Sequence, residues 1–245
     1  MGTGVVDRRL SLEAIIKIDK LSFNYPNGHP ALNEVSLGVN PGEKIALVGE
    51  NGAGKSTLLL HLNGIFQGSG QVLINGLEIS KNNLGQIRAW VGLVFQNPDD
   101  QLFSPTVYED VAYGPIYQGL DKLTVREKVD QALAAVHMSA YVDRDSYHLS
   151  NGEKKRIAIA TVLSMQPQIL ALDEPTAGLD PRARRELIEL LEELPQTMLI
   201  ATHDLALVEQ LAPRTVLMNR GRIIADGPTD SILADQVLLE TYGLS

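Results

Sequence analysis

The sequence predicts an α/β fold: a mostly parallel core sheet, an antiparallel β layer near the N-terminus, and a helical subdomain inserted at about residues 102–166. Three observations carry this. A short apolar run from Lys44 to Val48 passes through three glycines into an apolar helix starting at Lys55. Two near-continuous apolar runs, from Gln168 to Leu172 and from Thr197 to Thr202, read as strands buried on both faces, as in a parallel sheet. Between Thr106 and about Met165 the texture turns helical.

The elements follow in order. Residues 1–14 read as a flexible leader, with a single domain expected over 15–245. From Ile15 to Phe23 the apolar residues alternate, as in a half-buried strand. Tyr25-Pro26-Asn27-Gly28 is turn chemistry. Ala31 to Val39 alternates again, and Asn40-Pro41-Gly42 turns the chain into the Lys44 strand. Gln71 to Ile74, followed by Asn75-Gly76, reads as a hairpin element. Val91 to Phe95 is a short buried strand ending at Gln96. Thr124 to Met138 has helical spacing. Asp180 as N-cap and Pro181 at the first position open a helix that Pro195 stops. Strands near Thr215–Met218 and Ile223–Ala225, then short helices, close the chain. Strand–helix alternation places a ligand at the strands' carboxyl ends.

Composition narrows the chemistry. The chain has 245 residues, is 44% hydrophobic, and carries no cysteine and a net charge of −9. Disulfides, zinc–thiolate sites and thiol nucleophiles are excluded. The acidic balance argues against a non-specific grip on nucleic acid. No apolar run approaches the ~18 residues of a membrane span.

Gly49, Gly54, Lys55 and Ser56 fit the pattern G-x-x-x-x-G-K-[ST]. Its physical demand is a triphosphate: main-chain N–H groups converge on phosphate oxygens, and glycine lets the chain come that close. A helix N-terminus adds partial positive charge. Lys55 reaches the β/γ-phosphates, and the Ser56 hydroxyl is a candidate Mg²⁺ ligand. Asp173 and Glu174 follow an apolar strand; there one carboxylate can hold Mg²⁺ and the other can polarise an attacking water. His203 ends another strand, within reach of a γ-phosphate. Gln96 sits just past a strand end, where an amide serves a turn or a ligand equally well. Tyr25 either stacks on adenine or plugs a hairpin. Ser150 and Glu153 fit a capping box, and Lys154, Lys155 and Arg156 crowd the same first turn, where a nearby anion would explain them.

Together these residues resemble the ATPases of ATP-binding-cassette (ABC) systems, over nearly the whole chain from about Ile15 to Gly243. Gly49 to Thr57, including Asn51, Gly52, Ala53 and Thr57, is similar to Walker A. Gln96 matches the Q-loop, Leu149 to Glu153 the signature LSGGQ, and Ile169 to Asp173 Walker B. Ala177 to Asp180 matches the D-loop, His203 the switch histidine, and Tyr25 the adenine-stacking aromatic. The resemblance implies ATP and Mg²⁺ as cofactors. It implies Lys55, Gln96, Glu174 and His203 as catalytic residues, with Glu174 the general base, and Ser56, Gln96 and Asp173 around the metal. Ser150, Gly152 and Asp180 would complete the nucleotide site of a second ATPase subunit, in a homodimer or a heterodimer with a paralogue. Membrane subunits on separate chains, and a place at the cytoplasmic face of the membrane, are further implications. The signature departs twice, with Asn151 for Gly and Glu153 for Gln; the tolerance of Asn for left-handed φ would keep the loop's shape. The segments Phe23–Gly28, Gly92–Phe103 and Glu153–Arg156 resemble the energy-coupling-factor ATPases, which drive uptake of cobalt, nickel or vitamins. Asp99 to Phe103 would then lie near the membrane-subunit contact. Another ABC importer and a non-transport ABC ATPase are the rival readings.

Overall fold

A computed structural model describes residues 14–244. The leader expected over residues 1–14 falls, but for Ala14, outside the described residues. The elements are β1 (Ile16–Asn24), β2 (Pro30–Val39), β3 (Lys44–Val48), α1 (Lys55–Leu62), β4 (Ser69–Ile74), β5 (Leu77–Glu78), α2 (Leu84–Trp90), β6 (Val91–Val94), α3 (Val107–Tyr117), α4 (Lys122–Ala135), α5 (Asn151–Leu163), β7 (Ile169–Asp173), α6 (Pro181–Glu193), β8 (Thr197–Ala201), α7 (Leu205–Leu211), β9 (Arg214–Asn219), β10 (Arg222–Pro228), α8 (Thr229–Leu233) and α9 (Gln236–Thr241).

Two sheets result. The first is antiparallel, in the order β2-β1-β4-β5. The second runs β10-β9-β3-β8-β7-β6 and is parallel throughout except for the β9–β10 pair. Along β7 the side chains alternate between two apolar layers: Ile169 and Ala171 join the cluster of β1, β2 and α1, while Leu170 and Leu172 join that of the helices α3 to α6. This two-sided burial is why the strand reads as an unbroken apolar run. The Asn75-Gly76 turn takes positive φ at both residues, 50° and 75°, the geometry that suits the twist of a two-residue hairpin.

The long helices state their own beginnings. Thr106 caps α3 and Ser150 caps α5, each in a full capping box; Asp121 caps α4 and Asp180 caps α6. Such a cap is worth about 1 kcal/mol. Helix α1 differs: no side chain caps it, and its N-cap position is Gly54. Two short helices, α2 and α7, lie outside the sequence-based expectation. Each has seven residues, too few for a 3.6-residue period to declare itself.

Candidate nucleotide-binding and catalytic site

The parallel register brings three loops together. β3 lies between β8 and β9, and β7 between β6 and β8. The carboxyl ends of β3, β7 and β8 therefore deliver the Gly49 loop, Asp173-Glu174 and His203 to one rim. Glu174 N–H donates to Ala201 O at 2.8 Å and Thr202 N–H to Leu47 O at 3.0 Å, so the ladder extends past the strands and fixes the loops' starting points.

Glycine is compulsory in the first loop. A Cβ on Gly49, whose φ is 150°, would lie 2.2 Å from Met218 O; on Gly54, φ 105°, it would lie 2.7 Å from Ala31 O. Both neighbours are main chain and cannot swing aside. The turn closes through Ala53 N–H to Glu50 O at 3.1 Å. It then enters α1, whose first-turn amides have no partner within the helix and no side-chain cap. Free amides at a helix N-terminus, with the helix dipole behind them, suit an anion. Asn51 and Gly52 are exposed, and Ala53 is buried.

Lys55 is buried, and its ammonium donates to Gly49 O at 2.6 Å and Glu50 O at 3.2 Å. Burial lowers its pKa, while the charges of Glu174 and Asp173 pull it back up. Ser56 Oγ donates to Asp173 Oδ1 at 3.0 Å. Burial raises the Asp173 pKa, against the Ser56 hydrogen bond. A hydroxyl and a carboxylate side by side suit Mg²⁺, which prefers hard oxygens and takes its remaining ligands from water and phosphate. Among the described residues no group of three or more His, Cys, Asp or Glu side chains could hold a metal ion by itself.

Glu174 is buried and its φ is 43°. Its carboxylate accepts from Thr202 Oγ1 at 3.2 Å and pairs with His203 Nδ1 at 2.8 Å. Which of the two groups donates follows the histidine's tautomer; with Nδ1 protonated, the ring donates to the carboxylate. His203 itself is exposed. Behind it, Asp204 accepts from Arg184 through both oxygens and from Thr176 Oγ1 at 2.9 Å, and caps α7 at Leu207 N–H. Burial raises the Asp204 pKa, but these bonds outweigh it and hold the group below its usual value.

The other expected residues take three positions. Tyr25 is half-buried; its hydroxyl shares a 2.8 Å hydrogen bond with Thr57 Oγ1, and its ring lies edge-on to Phe23 and Phe66. The ring is thus fastened beside the phosphate loop. Gln96 is exposed, and its carbonyl accepts from Lys155 at 3.0 Å. Ser150, Gly152 and Asp180 gather at a separate edge. Asn151 Nδ2 donates to Gly178 O at 3.0 Å, a Cβ on Gly152 would lie 3.1 Å from the Ala183 side chain, and Asp180 caps Arg182 and Ala183. Among the described residues no hydrogen bond joins Ser150–Glu153 to the Gly49–Thr57 loop.

Two expectations about the signature segment change. Asn151 is not left-handed: it is the first helical residue of α5 and absent from the positive-φ positions. It is accommodated because its amide ties the segment to Gly178. The basic trio does not face a common anion. Lys154 pairs with Asp99 at 2.7 Å, Arg156 with Glu186 at 2.6 Å, and Lys155 turns inward. Glu153 is held by Tyr141 Oη at 2.6 Å as well as by Ser150, and the Tyr141 bond leads in lowering its pKa.

Sequence reasoning did not single out Asp204, Arg184 or Thr176; it read Lys155 only as one of a basic cluster beside an anion, and Gln101 only as part of the Gly92–Phe103 segment. Lys155 had a visible signal: it shares a helical face with Ala158, Ile159 and Val162, all buried, so it is a charge in the apolar phase of α5.

A phosphate loop, a carboxylate pair and a histidine on one rim, with a signature segment at another edge, define an ABC-type nucleotide-binding domain. The ABC transporter family model matches residues 32–177, and the chain belongs to that family. It is an ABC-type ATP hydrolase, the ATP-binding subunit of a transporter. The gll0289 protein of Gloeobacter violaceus, named only as a candidate ABC transporter ATP-binding protein, is 54% identical over 93% of this chain and 94% of its own length. The energy-coupling factor transporter ATP-binding protein EcfA of Methanothermobacter thermautotrophicus is 48% identical over 94% of this chain and 76% of its own. The structure of cbiO1 from Clostridium perfringens, described as part of the ABC transporter complex cbiONQ, superposes with a TM-score of 0.83 at 39% identity, covering 95% of each chain. Among the described residues no helix is long and apolar enough to cross a membrane.

Proposed function

We propose that this chain is the ATPase of an energy-coupling-factor uptake system for cobalt or nickel ions or a vitamin. It would act as one of two ATPase subunits at the cytoplasmic face of the membrane. The observation that carries the catalytic part is the convergence of the uncapped α1 amides and Lys55 with the Ser56–Asp173 and Glu174–His203 pairs. The loop amides and Lys55 hold the phosphates. Ser56 and Asp173, with Gln96 nearby, would hold Mg²⁺, which offsets charge developing on the phosphoryl oxygens. Glu174 takes the proton from the attacking water, oriented by Thr202 and His203.

The signature and the phosphate loop, one copy of each in this chain, support a composite site. Ser150 and Gly152 would meet nucleotide held by a second subunit, either another copy or a paralogue. ATP then favours the closed pair, and hydrolysis releases it. An apolar surface supports the membrane-subunit contact. Phe103 (68% exposed), Tyr113, Ile116 and Tyr117 (76%) are all solvent-facing, and Phe103 packs edge-on to Tyr113 at 5.3 Å. Such a patch marks a docking surface. The 48% identity to EcfA and the likeness to cbiO1 favour the energy-coupling-factor class.

Two measurements test the reading. Purification of the chain from membranes should bring integral membrane subunits with it, and vesicles holding that assembly should take up labelled cobalt, nickel or vitamin only with ATP. Ser150→Arg should leave ATP bound to each monomer but abolish turnover. Full turnover in that variant would rule out the composite site.

A further inference from the structure

Lys155 is a buried cation that the ATPase scheme leaves without a task. It is 4% exposed and lies on the apolar face of α5. Its ammonium makes two hydrogen bonds, both to main-chain carbonyls: Gln96 O at 3.0 Å and Glu174 O at 3.0 Å. Burial lowers its pKa to about 8, although Glu174 and Asp173 pull it upward. A methionine of similar length would fill the same space without the desolvation cost, so shape alone does not account for a lysine.

The second carbonyl is the informative one. Glu174 is a non-glycine residue at φ 43°, a left-handed region that L side chains adopt only when the surroundings hold them there. Its N–H is fixed to Ala201 O at 2.8 Å. Its C=O is fixed by Lys155. Both peptide groups flanking the Glu174 Cα are therefore anchored, which sets the direction of its carboxylate. The first carbonyl extends the same ammonium to the Gln96 loop. Neighbouring bonds strengthen this seam between the loop and α5: Lys154 to Asp99 at 2.7 Å, and Gln101 Nε2 to Ala158 O at 2.8 Å and Thr161 Oγ1 at 2.7 Å. Of these side chains only Lys155 also reaches the Glu174 turn.

We infer that Lys155 is a positioning residue for hydrolysis, its ammonium holding the Glu174 backbone in the conformation that aims the base and coupling that turn to the Gln96 loop and the signature helix. This rests on Glu174 being the general base. The test compares Lys155→Met, which keeps length and loses the donors, with Lys155→Gln, which keeps one shorter donor. Both are assayed as the full chain about 20 °C below their own melting midpoints, so that the folded state is read. The expected result for Lys155→Met is a kcat at least ~10-fold lower with the KM for ATP within about 3-fold, the split for an interaction that matters to the transition state and not to ATP binding; Lys155→Gln falls between. A packing role would not separate the two constants. The inference is overturned if kcat stays within about 2-fold, or if KM rises in step with the fall in kcat. Should Lys155→Met not fold, the same split in Lys155→Gln decides. Glu174→Gln is run alongside. If it loses hydrolysis while the Lys155 variants do not, the positioning role alone fails; if it hydrolyses ATP at the original rate, the assignment of the base fails first.

Discussion

Replacing Glu174 by Gln tests the catalytic assignment with little disturbance to the fold. The two side chains have the same shape, and the backbone bond from Glu174 N–H to Ala201 O is untouched. The amide oxygen can still accept from Thr202 Oγ1, now at 3.2 Å from Oε2. The amide nitrogen would replace the acceptor 2.8 Å from His203 Nδ1, so the histidine changes tautomer and stays in place. What is lost is proton acceptance. General-base catalysis contributes ~10²–10⁴-fold, so hydrolysis should fall at least ~10²-fold, or about 2.7 kcal/mol in the barrier. ATP affinity should hold or improve, because a negative charge leaves the neighbourhood of the phosphates while Lys55 and the loop amides remain. Phosphate release at saturating Mg-ATP measures the first effect. Nucleotide titration measures the second, and size exclusion with Mg-ATP should show the variant accumulating as a closed pair. Hydrolysis within about 3-fold of the original would refute the assignment, since a lost general base cannot leave so small a mark.

Lys55→Ala should weaken ATP binding by about 10- to 100-fold, the equivalent of charge-assisted bonds worth about 1.5–3 kcal/mol; an unchanged titration curve would remove Lys55 from the phosphate site. Arg214 holds Asp226 through two bonds at 2.7 and 2.8 Å, and also Glu43 and Gly38 O, both at 3.0 Å. Arg214→Met strands these partly buried partners and should cost about 2 kcal/mol, lowering the melting midpoint by roughly 4–8 °C; Arg214→Met with Asp226→Leu should recover part of that, and a single variant melting within about 1 °C of the original would contradict the argument. Asp204 is an acid whose folded-state pKa is depressed, so its stabilisation is present above the ordinary carboxylate value and lost as pH falls through the folded value. The stability gap between the protein and Asp204→Asn should therefore be full at neutral pH and close below about pH 4. Urea titrations across that range check this, and a gap that widens in acid would reverse the sign.

The phosphate loop was legible because its chemistry dictates residue types: main-chain contacts permit nothing but glycine at Gly49 and Gly54. The core strands were legible because burial on both faces leaves no polar position to break the run. The caps Ser150 and Asp180 were legible because they act on their own helices. What escaped depends on contacts distant in sequence. Lys154, Lys155 and Arg156 look alike in a row, yet one pairs with Asp99, one with two carbonyls and one with Glu186. Asn151 looked like a substitute for glycine conformation and acts through its amide on Gly178. The Asp204–Arg184–Thr176 group was hidden for the same reason, its members lying 20 and 28 positions from Asp204.

The apolar layer beneath the helices has a mechanical corollary. Val111, Val129, Leu133 and Ile159 share one cluster with Leu170, Leu172, Met198 and Ile200 of the strands. A wide swing of the helical layer would tear open that cluster and wet it. What stays available is shear, small slides of interlocked side chains, so any displacement passed between the helices and the strands travels on the ångström scale through closely packed side chains.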